Sequence, residues 1–133
     1  MGEEGKDDAS SPPSGAWKGY YLYSPGGMRH RQDLTLTFSR NMITGDGMDD
    51  VGKFLIRGRY DGDGRETHWT KTYPGSHDVF YRGFYEGKCI WGTWETDGLN
   101  RGGFRIWPAA LGEAEGIEEK AEVDVEVSDC VGA

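Results

Sequence analysis

The sequence predicts an all-β fold, a single small antiparallel up-and-down barrel of about eight short strands, on three observations. Large apolar residues alternate with glycines, as in Trp17-x-Gly19-x-Tyr21, Phe54-x-Ile56-x-Gly58-x-Tyr60, Val79-x-Tyr81-x-Gly83-x-Tyr85 and Ile90-x-Gly92-x-Trp94. Side chains two apart on a strand share a face, so each set points one way. Glycine weakens a flat strand but suits one that bends sharply or packs closely, as strands coiling round a narrow interior must. Turn residues recur at hairpin spacing between these runs, and every aromatic residue lies between Trp17 and Trp107.

The elements follow in order. A first strand over 17–23 ends at Ser24-Pro25-Gly26-Gly27, a turn by composition. A second, 28–38, alternates Leu34, Leu36 and Phe38 with threonines and passes through Arg40-Asn41 into a third, 42–48. The fourth, 51–60, sets Phe54, Ile56 and Tyr60 against Lys53, Arg57 and Arg59, and Asp61-Gly62-Asp63-Gly64 is a strong hairpin signal. A fifth, 65–73, turns at Tyr73-Pro74-Gly75-Ser76 into a sixth, 77–85, and Glu86-Gly87 leads into a seventh, 88–95. The eighth, 103–107, is ended by Pro108. Short links make sequence neighbours sheet neighbours, and about eight strands suffice to close a barrel.

Charge divides the chain. Residues 1–16 carry a net −3 and read as a disordered acidic leader, and residues 109–133 carry −7 and read as an acidic tail. The barrel domain, 17–108, is left at +2 within a total of −8. In the tail, Ala121–Val127 alternates valines with carboxylates well enough to form one added strand. No run approaches the roughly 18 apolar residues of a membrane helix, so no membrane association is expected. Two separated cysteines, Cys89 and Cys130, make no disulfide framework, and a reduced cytoplasmic protein is the expectation.

A small meander with Trp17-Lys18-Gly19 in its first strand and Gly92-Thr93-Trp94 late in the barrel resembles the calycin group: lipocalins, fatty-acid-binding proteins and avidins. The resemblance is at fold level over 17–107, and lipocalins carry the reverse order, Gly-x-Trp, at the first strand. It implies a barrel with an interior site and transfers no ligand-binding residue.

Strand parity places chemistry inside. Lys71 lies between Trp69 and Tyr73 on the apolar face, His77 is in phase with Val79 and Tyr81, and Asp49 with Ile43, Gly45 and Gly47. A lysine among aromatics must snorkel out or find an anionic partner. The expected pocket mouth is therefore Asp49, Lys71, Tyr73, His77 and Tyr81, walled by Trp17, Trp69 and Trp94. Outside, Phe80, Arg82, Phe84 and Trp91 form an aromatic and basic patch that a simple barrel wall does not need, unless a bulge shifts the parity.

Three functions are consistent with this pattern. The leading one is a non-enzymatic binding module holding a small polar or anionic ligand at the mouth. A second is a protein-interaction domain that uses the outer patch over a filled interior. A third is a small isomerase or cyclase with His77 or Asp49 as general base. The three histidines show no metal spacing, and no cofactor motif is present. The near-neutral body and acidic tails argue against nucleic acid despite Lys53, Arg57, Arg59 and Arg82 on outer faces. The partner is then a small molecule or a protein, and the chain a monomer or weak homodimer.

Overall fold

The computed structural model describes residues 11–61, 65–86, 88–97 and 100–110, which form a closed eight-stranded antiparallel barrel with strands in chain order. The strands are β1 (Gly15–Tyr21), β2 (His30–Ser39), β3 (Met42–Asp49), β4 (Lys53–Tyr60), β5 (Glu66–Thr72), β6 (Asp78–Glu86), β7 (Cys89–Glu95) and β8 (Arg101–Pro108). Each pairs with the next, and β1 closes the ring on β8 through pairs such as Gly19 with Ile106. Strand number, antiparallel pairing and up-and-down order are consistent, at that coarse level, with a calycin-like barrel.

The alternation sorts the side chains as expected. Trp17, Leu34, Leu36, Phe38, Ile43, Phe54, Ile56, Tyr60, Trp69 and Tyr81 are buried in one interior cluster, and Thr35, Thr37, Arg57 and Arg59 are exposed. No bulge shifts the parity of β6 and β7, whose pairs run without interruption from Phe80–Glu95 to Glu86–Cys89. The outer aromatics are therefore a real feature of the surface.

Glycines permit the tight coil. A Cβ placed on Gly58 would run into the His68 carbonyl and the Trp69 Cα, and one on Gly92 into the Arg82 carbonyl and the Gly83 Cα. Both obstacles are backbone of the adjacent strand and cannot rotate away.

Turn chemistry sets the two ends. At the closed end, Arg40 and Asn41 take φ of 52° and 67°, the left-handed pair of a two-residue hairpin, and Asn41 donates a side-chain hydrogen bond to the Tyr60 carbonyl. At the open end, Gly75 has φ of 76° and Ser76 N–H returns to the Tyr73 carbonyl at 2.8 Å.

Two expectations change. Residues 11–16, assigned to the leader, are built into the barrel. Pro12 is buried, Ser14 Oγ accepts the Phe38 N–H at 2.8 Å, and the Trp17 indole donates to the Pro13 carbonyl at 2.9 Å. Composition made this stretch look like linker, but its prolines and serine cap the closed end. Secondly, Cys89 is disulfide-bonded, which removes the cysteine argument for a reducing compartment. The rest of the leader, the tip of the 61–64 hairpin, Gly87, Cys130 and the added strand at 121–127 lie outside the described residues.

Gly58→Ala and Gly92→Ala are expected to destabilise the barrel by about 3 kcal/mol or more, because the obstruction is fixed backbone. Thr35→Ala on the outer face should stay within about 0.5 kcal/mol of the parent. Denaturant midpoints measure all three.

Candidate functional site

The open end is built from the last residues of β1, β3, β5 and β7 and the first of β2, β4, β6 and β8. Antiparallel order thus brings Tyr21, Gln32, Asp49, Phe54, Lys71 and Trp94 to one height. At its centre Lys71 is 1% exposed and Asp49 has no exposed side-chain surface. The ammonium donates to Asp49 Oδ2 at 2.7 Å and to Gln32 Oε1 at 3.1 Å. Ring centroids of Phe54, Tyr21, Tyr81 and Tyr73 stand 4.6, 4.7, 5.1 and 5.4 Å from its nitrogen. Aromatic faces attract a cation at this range, and more strongly where water is excluded.

Asp49 has no free capacity. Tyr73 Oη donates to Oδ2 at 2.5 Å, and the amides of Val51 and Gly52 donate to Oδ1 at 2.9 and 3.2 Å. With Lys71 that makes four donors on a carboxylate that offers about four acceptor positions. A general base needs a lone pair facing its substrate, and none is left here.

A second polar cluster forms the lip. Tyr21 Oη donates to Asp50 Oδ1 at 2.7 Å, and His30 Nδ1 lies 2.6 Å from Asp50 Oδ2. The His30 and Tyr21 rings stack at 5.0 Å, and Tyr23 stands edge-on to Trp94 at 5.3 Å. The hydrogen bond from His30 holds the Asp50 carboxyl below its ordinary pKa, although part-burial opposes it.

The structure gathers Asp49, Lys71, Tyr73 and Tyr81 as the parity argument expects. His77 stands at the rim instead of inside. It is exposed, 2.9 Å from Ser76 Oγ, with its ring 5.0 Å from that of Tyr73. Trp94 lines the mouth, but Trp69 lies beneath it, stacked on Tyr81 at 5.2 Å, and Trp17 packs on Phe38 near the opposite end. Gln32, Tyr21, His30 and Asp50 were not singled out from the sequence. Gln32 is in phase with Leu34 and Leu36 and could have been found that way. The Tyr21–Asp50–His30 set joins residues across three segments and has no local signature.

Space at the mouth is small. Lys71, Tyr73, His77, Tyr81 and Trp94 help to line a cavity of about 80 Å³. That is room for two or three waters at about 30 Å³ each. A larger concavity of about 410 Å³ lies on the outer face of β4–β7, lined by Arg57, Arg59, His68, Phe80, Arg82 and Glu95 among others. Two cross-strand rows build it: Arg57–Thr70–Phe80–Glu95 and Arg59–His68–Arg82–Thr93. Glu66, one step along β5, takes Arg82 at 3.1 Å and lies 3.4 Å from His68. Among the described residues no carboxylate pairs with Arg57 or Arg59. Nor does any group of three metal-ligating side chains occur among them, or any helix long and apolar enough to cross a membrane.

Two outcomes follow for the mouth. Lys71→Met should cost about 3 kcal/mol, the lower end for stranding one partner of a buried pair, because three donors to Asp49 remain. Adding Asn at Asp49 should recover most of that loss, and a double-mutant cycle reads the coupling.

Burial pushes the phenols of Tyr21, Tyr73 and Tyr81 above their ordinary 10.0, with Asp50 or Asp49 nearby adding to the shift. Their neutral forms support the fold below pH 10.0, and that support is lost as pH rises further. Burial pulls Lys71 below 10.5 while Asp49 opposes it, so one amine works in the other direction. Three phenols outweigh it. The denaturation midpoint should fall above pH 10.0, and these three buried phenols should ionise only with unfolding. No protein-family model matches the chain, and no curated protein or solved structure matches it either.

Proposed function

We propose that this chain is a non-catalytic interaction module that recognises an acidic segment of a partner protein in the outer groove of β4–β7. The observation that carries the reading is the contrast in room: about 410 Å³ on the outside against about 80 Å³ at the mouth. Small-molecule pockets usually begin at about 300 Å³. The interior is occupied by aromatic rings, and Lys71 already has its anion.

The groove has the composition of a protein-recognition site. Phe80, which lines it, is 41% exposed, and Phe84, four residues further along β6 on the same outer face, is 39% exposed. Aromatic and arginine side chains supply most of the energy at such surfaces. Arg57 and Arg59 offer planar donor forks suited to carboxylates. Glu66 and Glu95 within or beside the groove, and a total charge of −8, disfavour a continuous phosphate backbone as the occupant.

The test is a titration of the full chain into a dye-labelled peptide alternating Glu and Phe, followed by polarisation. Saturable binding that weakens with salt is expected. Arg57→Glu with Arg59→Glu should reduce affinity about tenfold or more, a loss of about 1.4 kcal/mol. The Lys71→Met, Asp49→Asn pair should bind like the parent. No saturable binding overturns the proposal. So does equal affinity for a single-stranded oligonucleotide, and so does a loss confined to the Lys71 and Asp49 variants.

A further inference from the structure

The outer groove is polarised from one side to the other, and the register of four strands shows how. Arg57 on β4 faces Thr70 on β5, Thr70 faces Phe80 on β6, and Phe80 faces Glu95 on β7. All four line the concavity of about 410 Å³. The row therefore runs cation, hydroxyl, aromatic ring, anion. The next row toward the closed end, through His68 and Arg82, begins with a second cation, Arg59. On the β6–β7 side Asp78, two residues before Phe80 on the same face, adds a second carboxylate that is open to solvent.

These charges are not spent on one another. Arg57 and Glu95 stand three strand spacings apart, about 14 Å at about 4.8 Å per step. Among the described residues no cation pairs with Glu95, although Arg101 is its register partner on β8, and no carboxylate pairs with Arg57. Arg82, the third guanidinium in the groove, is held by Glu66 on β5 at 3.1 Å. A wall with separated charges of opposite sign favours an occupant with the reverse charges at the same separation. An extended segment advances about 3.4 Å per residue, and every second side chain faces the same way. Four residues thus cover about 14 Å, and side chains i, i+2 and i+4 meet β4, the floor and β7 in turn. The middle one falls between Thr70 and the exposed ring of Phe80. The closed sheet offers no free strand edge, so the segment docks by side chains and not by adding a strand.

We propose that the groove reads a spaced pattern within its partner's acidic segment: a carboxylate at i on Arg57, an aromatic residue at i+2 on Phe80, and one lysine or arginine at i+4 on Glu95. The inference rests on the groove being the binding surface and adds a specificity-determining residue to it. Arg57 and Arg59 attract any acidic segment. Glu95 divides such segments into two classes, because it repels a carboxylate at i+4 and attracts a cation there. Discrimination by an unfavourable contact is a common source of specificity at interfaces.

Fluorescence polarisation of the full chain with three dye-labelled peptides tests the pattern. Asp-Glu-Ser-Phe-Ser-Lys is compared with the same peptide ending in Glu, and with Asp-Glu-Ser-Phe-Lys-Ser, which turns the cation to the other face. The first should bind about fivefold or more tightly than either, the size expected for exchanging an attractive for a repulsive pair at a partly exposed site. The gap should close as salt rises. Glu95→Gln should remove the preference, and Glu95→Lys should reverse it between the peptides ending in Lys and in Glu, each variant keeping the parent's denaturation midpoint. Equal affinities for the three peptides in the parent chain, with binding still lost in Arg57→Glu, Arg59→Glu, overturn the spaced pattern and leave the groove as the binding surface. A preference for Lys that survives Glu95→Lys overturns the role of Glu95. No saturable binding of any of the three removes the groove reading and this inference with it.

Discussion

Closure of so narrow a ring depends on strands approaching more closely than side chains allow. At Gly58 and Gly92 the neighbouring backbone occupies the volume a Cβ would need. This constraint sets everything else in the interior. Strands pressed together at glycine coil strongly, and the coil leaves a slender central space. Large rings from neighbouring positions fill it, as Trp69, Tyr81 and Phe104 do with centroids 4.9 to 5.4 Å apart. Glycine and aromatic residues on one face are two halves of one packing solution.

The open end solves a different problem. Hairpins there meet water, and a purely apolar plug would have to face it. The plug is a buried cation with a saturated carboxylate, an amide and a ring of aromatic faces. Such an arrangement tolerates only one register, because sliding any strand by one residue would turn Lys71 or Asp49 outward and strand the other. Its chemistry is therefore spent internally. That directs attention to the outer wall, where Arg57 and Arg59 have no carboxylate partner among the described residues.

Much of this was legible in the sequence because β-structure has period two. Parity alone put Lys71, Asp49, Tyr73 and Tyr81 on the inside and Phe80, Arg82 and Phe84 on the outside. What parity lacks is height along the barrel axis. Trp17 and Trp94 share the inner face, yet one lies near the closed end and the other at the mouth. Height follows from register between strands, which is a long-range property. The same limit hid the Tyr21–Asp50–His30 cluster, assembled from β1, β2 and the β3–β4 hairpin. It also hid the disulfide state of Cys89. Residues 11–16 misled for a local reason, since Pro and Ser serve equally as linker and as a cap on a ring's base.

The seam between β1 and β8 carries the same antiparallel backbone pairing as the other seven. Trp17 lies opposite Pro108, so the chain enters and leaves the ring at adjacent points. Any hairpin could therefore serve as the break, and a short bridge across the seam would reproduce every rung in permuted order. Architecture of that kind can be spliced as a cassette into a loop of a host domain without prising the host's ends apart.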